Sequence, residues 1–291
     1  MIRPDNAELY RRKKGNHALG LKPAFAVFLM MACLWGPCTV FSEVFLPGSS
    51  QLSPLMQSKA PIASIAVKNT YPHDPDAFTQ GLLFHQGFFY ESTGLLGKST
   101  LARKDMKTGK VLEEVKLPMD FFGEGIVLLK DKIYQLTWQN ETVLIYDARS
   151  LREIKKMKYS GEGWGLTSDG KYLLMSNGSS TVTFRDPESF KIVREIQVRD
   201  GDTPVGYLNE LEFIRGEIWA NIYMEDVIVR ISPKNGRVTG WIDLSELRSY
   251  LARNARVDVI NGIAYDEKAN RIFLTGKFWP KIFEIQIKDK K

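Results

Sequence analysis

The sequence predicts an all-β chain folded as a five-bladed β-propeller, with an N-terminal strand completing the last blade. Three observations predict it: a short motif that recurs five times, four apolar runs per recurrence, and an orphan run ahead of the first repeat. The motif reads Gln80-Gly81-Leu82-Leu83-Phe84, Glu124-Gly125-Ile126-Val127-Leu128, Trp164-Gly165-Leu166-Thr167, Asn209-Glu210-Leu211-Glu212-Phe213 and Asn261-Gly262-Ile263-Ala264-Tyr265. Its second positions are 44, 40, 45 and 52 residues apart. A second run ends at Tyr90, Tyr134, Leu174, Trp219 and Phe273, and a third covers 99–103, 143–146, 182–184, 227–231 and 282–287. A fourth covers 111–117, 154–159, 192–198 and 238–244. Short β-branched and aromatic runs broken by Gly-bearing turns read as strands. Four of them per unit fit a propeller blade, which repeats because one blade cannot bury both its faces alone.

In chain order, the first element lies before the repeats. Arg3, Arg11, Arg12, Lys13 and Lys14 precede residues 24–41, an 18-residue run without charge. A basic stretch followed by an apolar one reads as an export signal, or as an uncleaved membrane anchor through 24–41. Residues 1–45 are assigned to that signal or anchor, 46–62 to a Ser/Pro/Gln-rich linker and 63–291 to the propeller. The protein is thus expected to be exported, periplasmic or secreted, and to act as a monomer.

Residues 63–68 form the orphan run, and the fifth unit stops after its third strand. Supplying the orphan as the missing fourth strand joins the chain ends and removes an open sheet edge. The spacing of 52 residues before the last repeat is explained by a short helix over 244–255. A β-sandwich shares the turn spacing and is the competing all-β arrangement.

Composition narrows the chemistry. Residues 61–291 carry 33 Lys/Arg against 31 Asp/Glu, a near balance that argues against nucleic acid as a partner. Both cysteines, Cys33 and Cys38, precede the repeats, so the folded part has no thiol for a disulfide or a nucleophile. His17, His73 and His85 have no spacing suited to a zinc triad, and neither a metal nor another cofactor is expected. Asp74-Pro75-Asp76 reads as a turn rather than a calcium ligand set.

The repeat itself nominates a site. First strands lie nearest a propeller's channel, so Gln80, Glu124, Trp164, Asn209 and Asn261 surround one end of it. One carboxylate, amides and an indole round a pocket suit a small ligand. Phe78 and Phe122 stand two residues upstream, and Trp138, Tyr223 and Lys277 at the ends of second strands. Glycine on both sides of Glu124 points to a close backbone approach there.

Tyr71-Pro-His-Asp-Pro-Asp-Ala-Phe-Thr-Gln-Gly81, Glu91-Ser-Thr-Gly-Leu-Leu-Gly97, Phe122-Gly-Glu-Gly125, Gly163-Trp-Gly-Leu166, Leu208-Asn-Glu-Leu-Glu212 and Thr275-Gly-Lys-Phe-Trp-Pro280 together resemble the plant and bacterial glutamine cyclotransferases. That resemblance runs from about residue 64 to 287 and implies a five-bladed, metal-independent enzyme. Its implied reaction converts the N-terminal glutamine of peptides or proteins to pyroglutamate with release of ammonia. By position it implies Glu124 as general acid/base, supported by Gln80, Asn209 and Lys277. Phe78, Phe122, Trp138 and Trp164 then form the aromatic pocket, joined by Tyr223 where the family carries a tryptophan. A non-catalytic exported propeller that binds a peptide or small ligand in the same pocket is the alternative.

Overall fold

The structure, a computed structural model, describes residues 53–252 and 255–288. The expected signal or anchor and the start of the expected linker lie outside the described residues. After β1 (Ile62–Pro72) come β2 (Thr79–His85), β3 (Phe88–Thr93), β4 (Thr100–Asp105) and β5 (Val111–Lys116), which form one four-stranded sheet in sequence order. The next is β6 (Gly123–Leu129), β7 (Lys132–Thr137), β8 (Thr142–Asp147) and β9 (Glu153–Lys158). A third joins β10 (Leu166–Ser168), β11 (Leu173–Met175), β12 (Thr181–Arg185) and β13 (Ile192–Gln197). A ribbon of β14 (Arg199–Asp200) and β15 (Thr203–Pro204) follows.

The remaining strands are β16 (Leu208–Ile214), β17 (Glu217–Ile222), β18 (Val227–Ile231), β19 (Val238–Asp243), β20 (Ile260–Asp266), β21 (Arg271–Gly276) and β22 (Lys281–Lys288). They form an eight-stranded sheet in the order β16-β17-β18-β19-β1-β22-β21-β20. Within it β1 runs antiparallel to β22 from Ser64↔Lys288 to Pro72↔Lys281, so the orphan strand does pair with the last one. Only Ile62↔Trp241 and Ala63↔Ile242, in parallel register, join β1 to β19.

First strands of successive groups lie side by side: β2 with β6, β6 with β10, β10 with β16, β16 with β20 and β20 with β2. Between neighbouring sheets sit apolar layers, such as Leu83, Tyr90 and Leu101 against Ile126, Ile133 and Leu144. Another packs Leu82 and Phe89 against Ala264, Phe273 and Ile282 and holds the first repeat to the last. This is the sequence alternation at work, since every second side chain of a strand reaches the next sheet.

The glycines of the motif make the close approach possible. A Cβ on Gly125 would stand 2.6 Å from the Leu166 nitrogen, and one on Gly165 would stand 2.0 Å from the Asn209 carbonyl oxygen. No side chain fits either place. The approach expected round Glu124 is therefore one of strand against strand.

Where first strands lie against one another without ladder pairing, their buried N–H groups need acceptors. Glu210 supplies two: one oxygen accepts from the Leu82 N–H at 3.2 Å and the other from the Ile263 N–H at 2.9 Å. Its neighbour Glu212 accepts from the Tyr265 N–H at 3.0 Å. Burial pushes the Glu210 carboxyl well above the ordinary range and Glu212 up to about 8, against the pull of these N–H groups.

Two expectations change in detail. The segment expected as a helix over 244–255 contains a 3₁₀ helix, Ser245–Tyr250, pinned by the buried Leu247. Residues 53–61, expected as linker, begin with a 3₁₀ turn at Pro54–Met56 and dock on the β14–β15 ribbon. There the Asp200 carboxylate accepts from the Lys59 and Ala60 N–H groups at 2.8 and 3.1 Å and from the Trp241 indole at 3.0 Å. Two-residue strands leave no alternation to read, so the sequence concealed this clamp. Asp74 forms the expected turn, its carboxylate accepting from the Asp76 N–H at 2.9 Å.

Candidate active site

Each polar member of the nominated ring sits at a break in strand register. Pairing shifts between Thr79 and Gly81, Gly123 and Ile126, Leu208 and Leu211, and Ile260 and Ile263. Those irregularities fall on Gln80, Glu124, Asn209 and Asn261. A bulge takes a residue out of the ladder and re-aims its side chain, which is a common device beside active sites. Trp164 instead precedes the short β10, with its backbone held by Gly125 N–H donating to its carbonyl at 2.7 Å.

All four residues nominated for chemistry are deeply buried. Glu124, Gln80 and Lys277 are each 1% exposed and Asn209 is 2% exposed. Glu124 lies beside Tyr159, whose phenol is raised first by burial and then by the Glu124 charge. Tyr159 donates to the Thr137 carbonyl in the same repeat. Asn261 gives its side-chain N–H to the Thr79 carbonyl at 3.0 Å and to the Gln80 side-chain oxygen at 3.2 Å.

The five nominated aromatic residues and Lys277 are brought together in one circuit. Trp138 packs edge-on to Phe122 at 5.7 Å between ring centroids, and Phe122 to Phe78 at 6.0 Å. The Lys277 ammonium stands 4.5 Å from the Phe78 ring centroid and 5.5 Å from that of Tyr223. Tyr223 meets Trp164 at 5.7 Å. Phe278 also packs edge-on to Phe78, at 5.3 Å between ring centroids. Lysine between two π faces is held by the cation–π attraction while its chain remains buried.

Two features escaped the sequence reading. Glu162 accepts an indole N–H from both Trp138 and Trp164 and so links two of the walls. Glu91 is fully buried and accepts from Thr79 Oγ1 at 2.6 Å, His73 Nε2 at 2.9 Å and the Lys104 ammonium. The other His73 nitrogen meets the Trp279 carbonyl. This network ties the segment that carries Phe78 and Gln80 to the one that carries Lys277. Burial alone would raise the Glu91 carboxyl, but Lys104 and His73 together hold it below the ordinary range. The nearest sequence signal was the Tyr71-Pro-His73 and Glu91-Ser-Thr motifs, which carried no hint of contact. A separate groove of about 740 Å³, lined by Ile214, Trp219, Arg230 and Arg271 among others, shares no residue with the circuit.

Fold and site together define an all-β protein in which five aromatic side chains and a buried lysine form one circuit, with the buried Glu124 carboxylate at a break in strand register close by in the sequence. The family profile described as Glutamine cyclotransferase matches residues 41–287, and the chain belongs to that family. It is 42% identical over 268 residues to a glutaminyl-peptide cyclotransferase of Arabidopsis thaliana, across 91% of this chain and 84% of the relative. The crystal structure of Myxococcus xanthus glutaminyl cyclase superposes with a TM-score of 0.75 at 35% identity, over 80% of this chain and all of that one.

Proposed function

We propose that the chain is a five-bladed propeller whose pocket converts an N-terminal glutamine of a peptide or protein to pyroglutamate, with Glu124 as general acid/base. The observation that carries this reading is the circuit of Phe78, Phe122, Trp138, Trp164, Tyr223 and Lys277 in a chain of this family. Three four-stranded sheets, an eight-stranded sheet that holds two more groups of four, and the ring of adjacent first strands support five blades.

In the reaction the substrate's α-amine attacks its own γ-amide carbon. A carbon–nitrogen bond forms, the bond to the amide nitrogen breaks, and ammonia leaves. The nucleophile belongs to the substrate, so the lack of a thiol in the folded part is no obstacle. Aromatic walls hold the side chain curled, an orientation effect that lowers the barrier. Glu124 takes the proton released by the attacking amine and returns it to the departing nitrogen. Negative charge grows on the amide oxygen, where Gln80, Asn209 and Lys277 are the donors at hand.

The basic stretch before the uncharged run 24–41 supports export of this enzyme, either after cleavage or on an uncleaved anchor. Among the described residues no helix is long and apolar enough to cross a membrane. The test of function is incubation with a Gln-initiated peptide and with its N-acetylated form. Loss of one ammonia from the first alone is expected; no loss from either at high enzyme concentration overturns the reading.

A further inference from the structure

Six of the side chains round the pocket touch through rings or a cation, but Trp138 and Trp164 stand on neighbouring repeats and are joined differently. One Glu162 oxygen accepts the Trp138 and Trp164 indole N–H groups, each at 2.9 Å, while the other accepts from the Gln139 amide at 3.0 Å. An indole has a single donor and no acceptor, so this bond fixes which edge of the ring faces the pocket. Bonds to an ionised carboxylate are the stronger kind. Trp164 is also confined at its opposite end, because a Cβ on Gly178 would stand 2.6 Å from its outer ring carbon. Both indoles are buried, at 8% and 2% exposure.

We infer that Glu162 is a positioning residue that sets the separation and tilt of the two indole walls, and through them the fit of the curled glutamine side chain. This rests on the reading of the pocket as the substrate site. Glu162 makes no bond to the reacting atoms in this account; it acts through Trp138 and Trp164. Neither indole can turn without giving up its one hydrogen bond, and the loss of one wall's geometry is felt by the other through the shared oxygen.

The test compares Glu162→Leu, which has no acceptor, with Glu162→Gln, which keeps one. Misplacement of a bound substrate by about 1 Å costs on the order of 10²-fold, so Glu162→Leu is expected to lower kcat/KM for a Gln-initiated peptide about 10- to 100-fold. KM should rise, tryptophan fluorescence should shift, and the melting midpoint should stay near that of the parent. Glu162→Gln should lose less. In a Trp138→Phe/Trp164→Phe background, which lacks both donors, Glu162→Leu should cost less than about twofold more, the signature of coupled sites. Parent-like kcat/KM in Glu162→Leu, or the same fold-loss in both backgrounds, overturns the proposal. If the two Trp→Phe changes themselves leave kcat/KM untouched, the pocket reading fails and the proposal falls with it. If they lower it while Glu162→Leu does not, only the proposal fails. Should Glu162→Leu not fold, the comparison of Glu162→Gln across the two backgrounds decides in the same way.

Discussion

Asn261 donates its side-chain N–H to the Gln80 oxygen at 3.2 Å, across the seam between the last repeat and the first. The Thr79 carbonyl, which only accepts, holds the same Asn261 amide at 3.0 Å and so fixes its orientation. Gln80 then presents its oxygen to Asn261, which leaves its NH₂ as the donating end. In the proposed reaction the donating end is the one required to meet a developing oxyanion.

Removing this orientation should weaken catalysis without emptying the site. Asn261→Leu lets the Gln80 amide turn, and kcat is expected to fall by about 10-fold or more with little change in KM, since a lost oxyanion donor acts on the transition state. Steady-state rates on a Gln-initiated peptide check this. A rise in KM at constant kcat would place Gln80 in ground-state binding instead.

Tyr223 stands where the resemblance puts a tryptophan, between Trp164 at 5.7 Å and the Lys277 ammonium at 5.5 Å. Indole is the stronger π partner for a cation. Tyr223→Trp is expected to change KM among peptides differing in the residue after glutamine, with kcat within about threefold of the parent, as expected for a wall that binds uniformly. Kinetics on a panel of such peptides measure it, and an unchanged preference would remove Tyr223 from the substrate wall.

Stability should depend on pH at both ends of the range, with opposite signs. Glu212 is raised to about 8 by burial, so its contribution is fully present below the unfolded pKa of about 4.5 and is lost as pH rises through 8. Its side chain keeps partial exposure, which keeps the effect modest. Glu91 is lowered by Lys104 and His73, so its contribution is present above about 4.5 and is lost on further acidification. Melting midpoints of Glu212→Gln between pH 5 and 9 should decline less with pH than those of the parent. A parallel decline would mean that Glu212 does not titrate in that window.

The chain's repetition was legible because it is written in the glycines. Gly81, Gly125 and Gly165 recur where a neighbouring strand leaves no space for a side chain, Gly262 recurs where φ is +121°, and a backbone demand repeated at four of the five motifs marks the sequence. The ring residues beside those glycines were legible for the same reason. Glu162 was not, because its two indole partners come together only when adjacent repeats fold. Glu91, His73 and Lys104 occupy the first repeat and its lead-in alone, and a contact made once leaves no pattern. The Asp200 clamp on residues 59 and 60 spans more than a hundred residues of sequence and escapes any local reading.

The central claim is that Glu124 carries the proton during cyclisation of N-terminal glutamine. Glu124→Gln keeps the shape of the side chain and removes its acid/base capacity. Mass spectrometry of ammonia loss from a Gln-initiated peptide should give a turnover lower by about 10² to 10⁴ for this variant, with the parent's melting midpoint. Turnover at the parental rate in a folded Glu124→Gln protein would contradict the account.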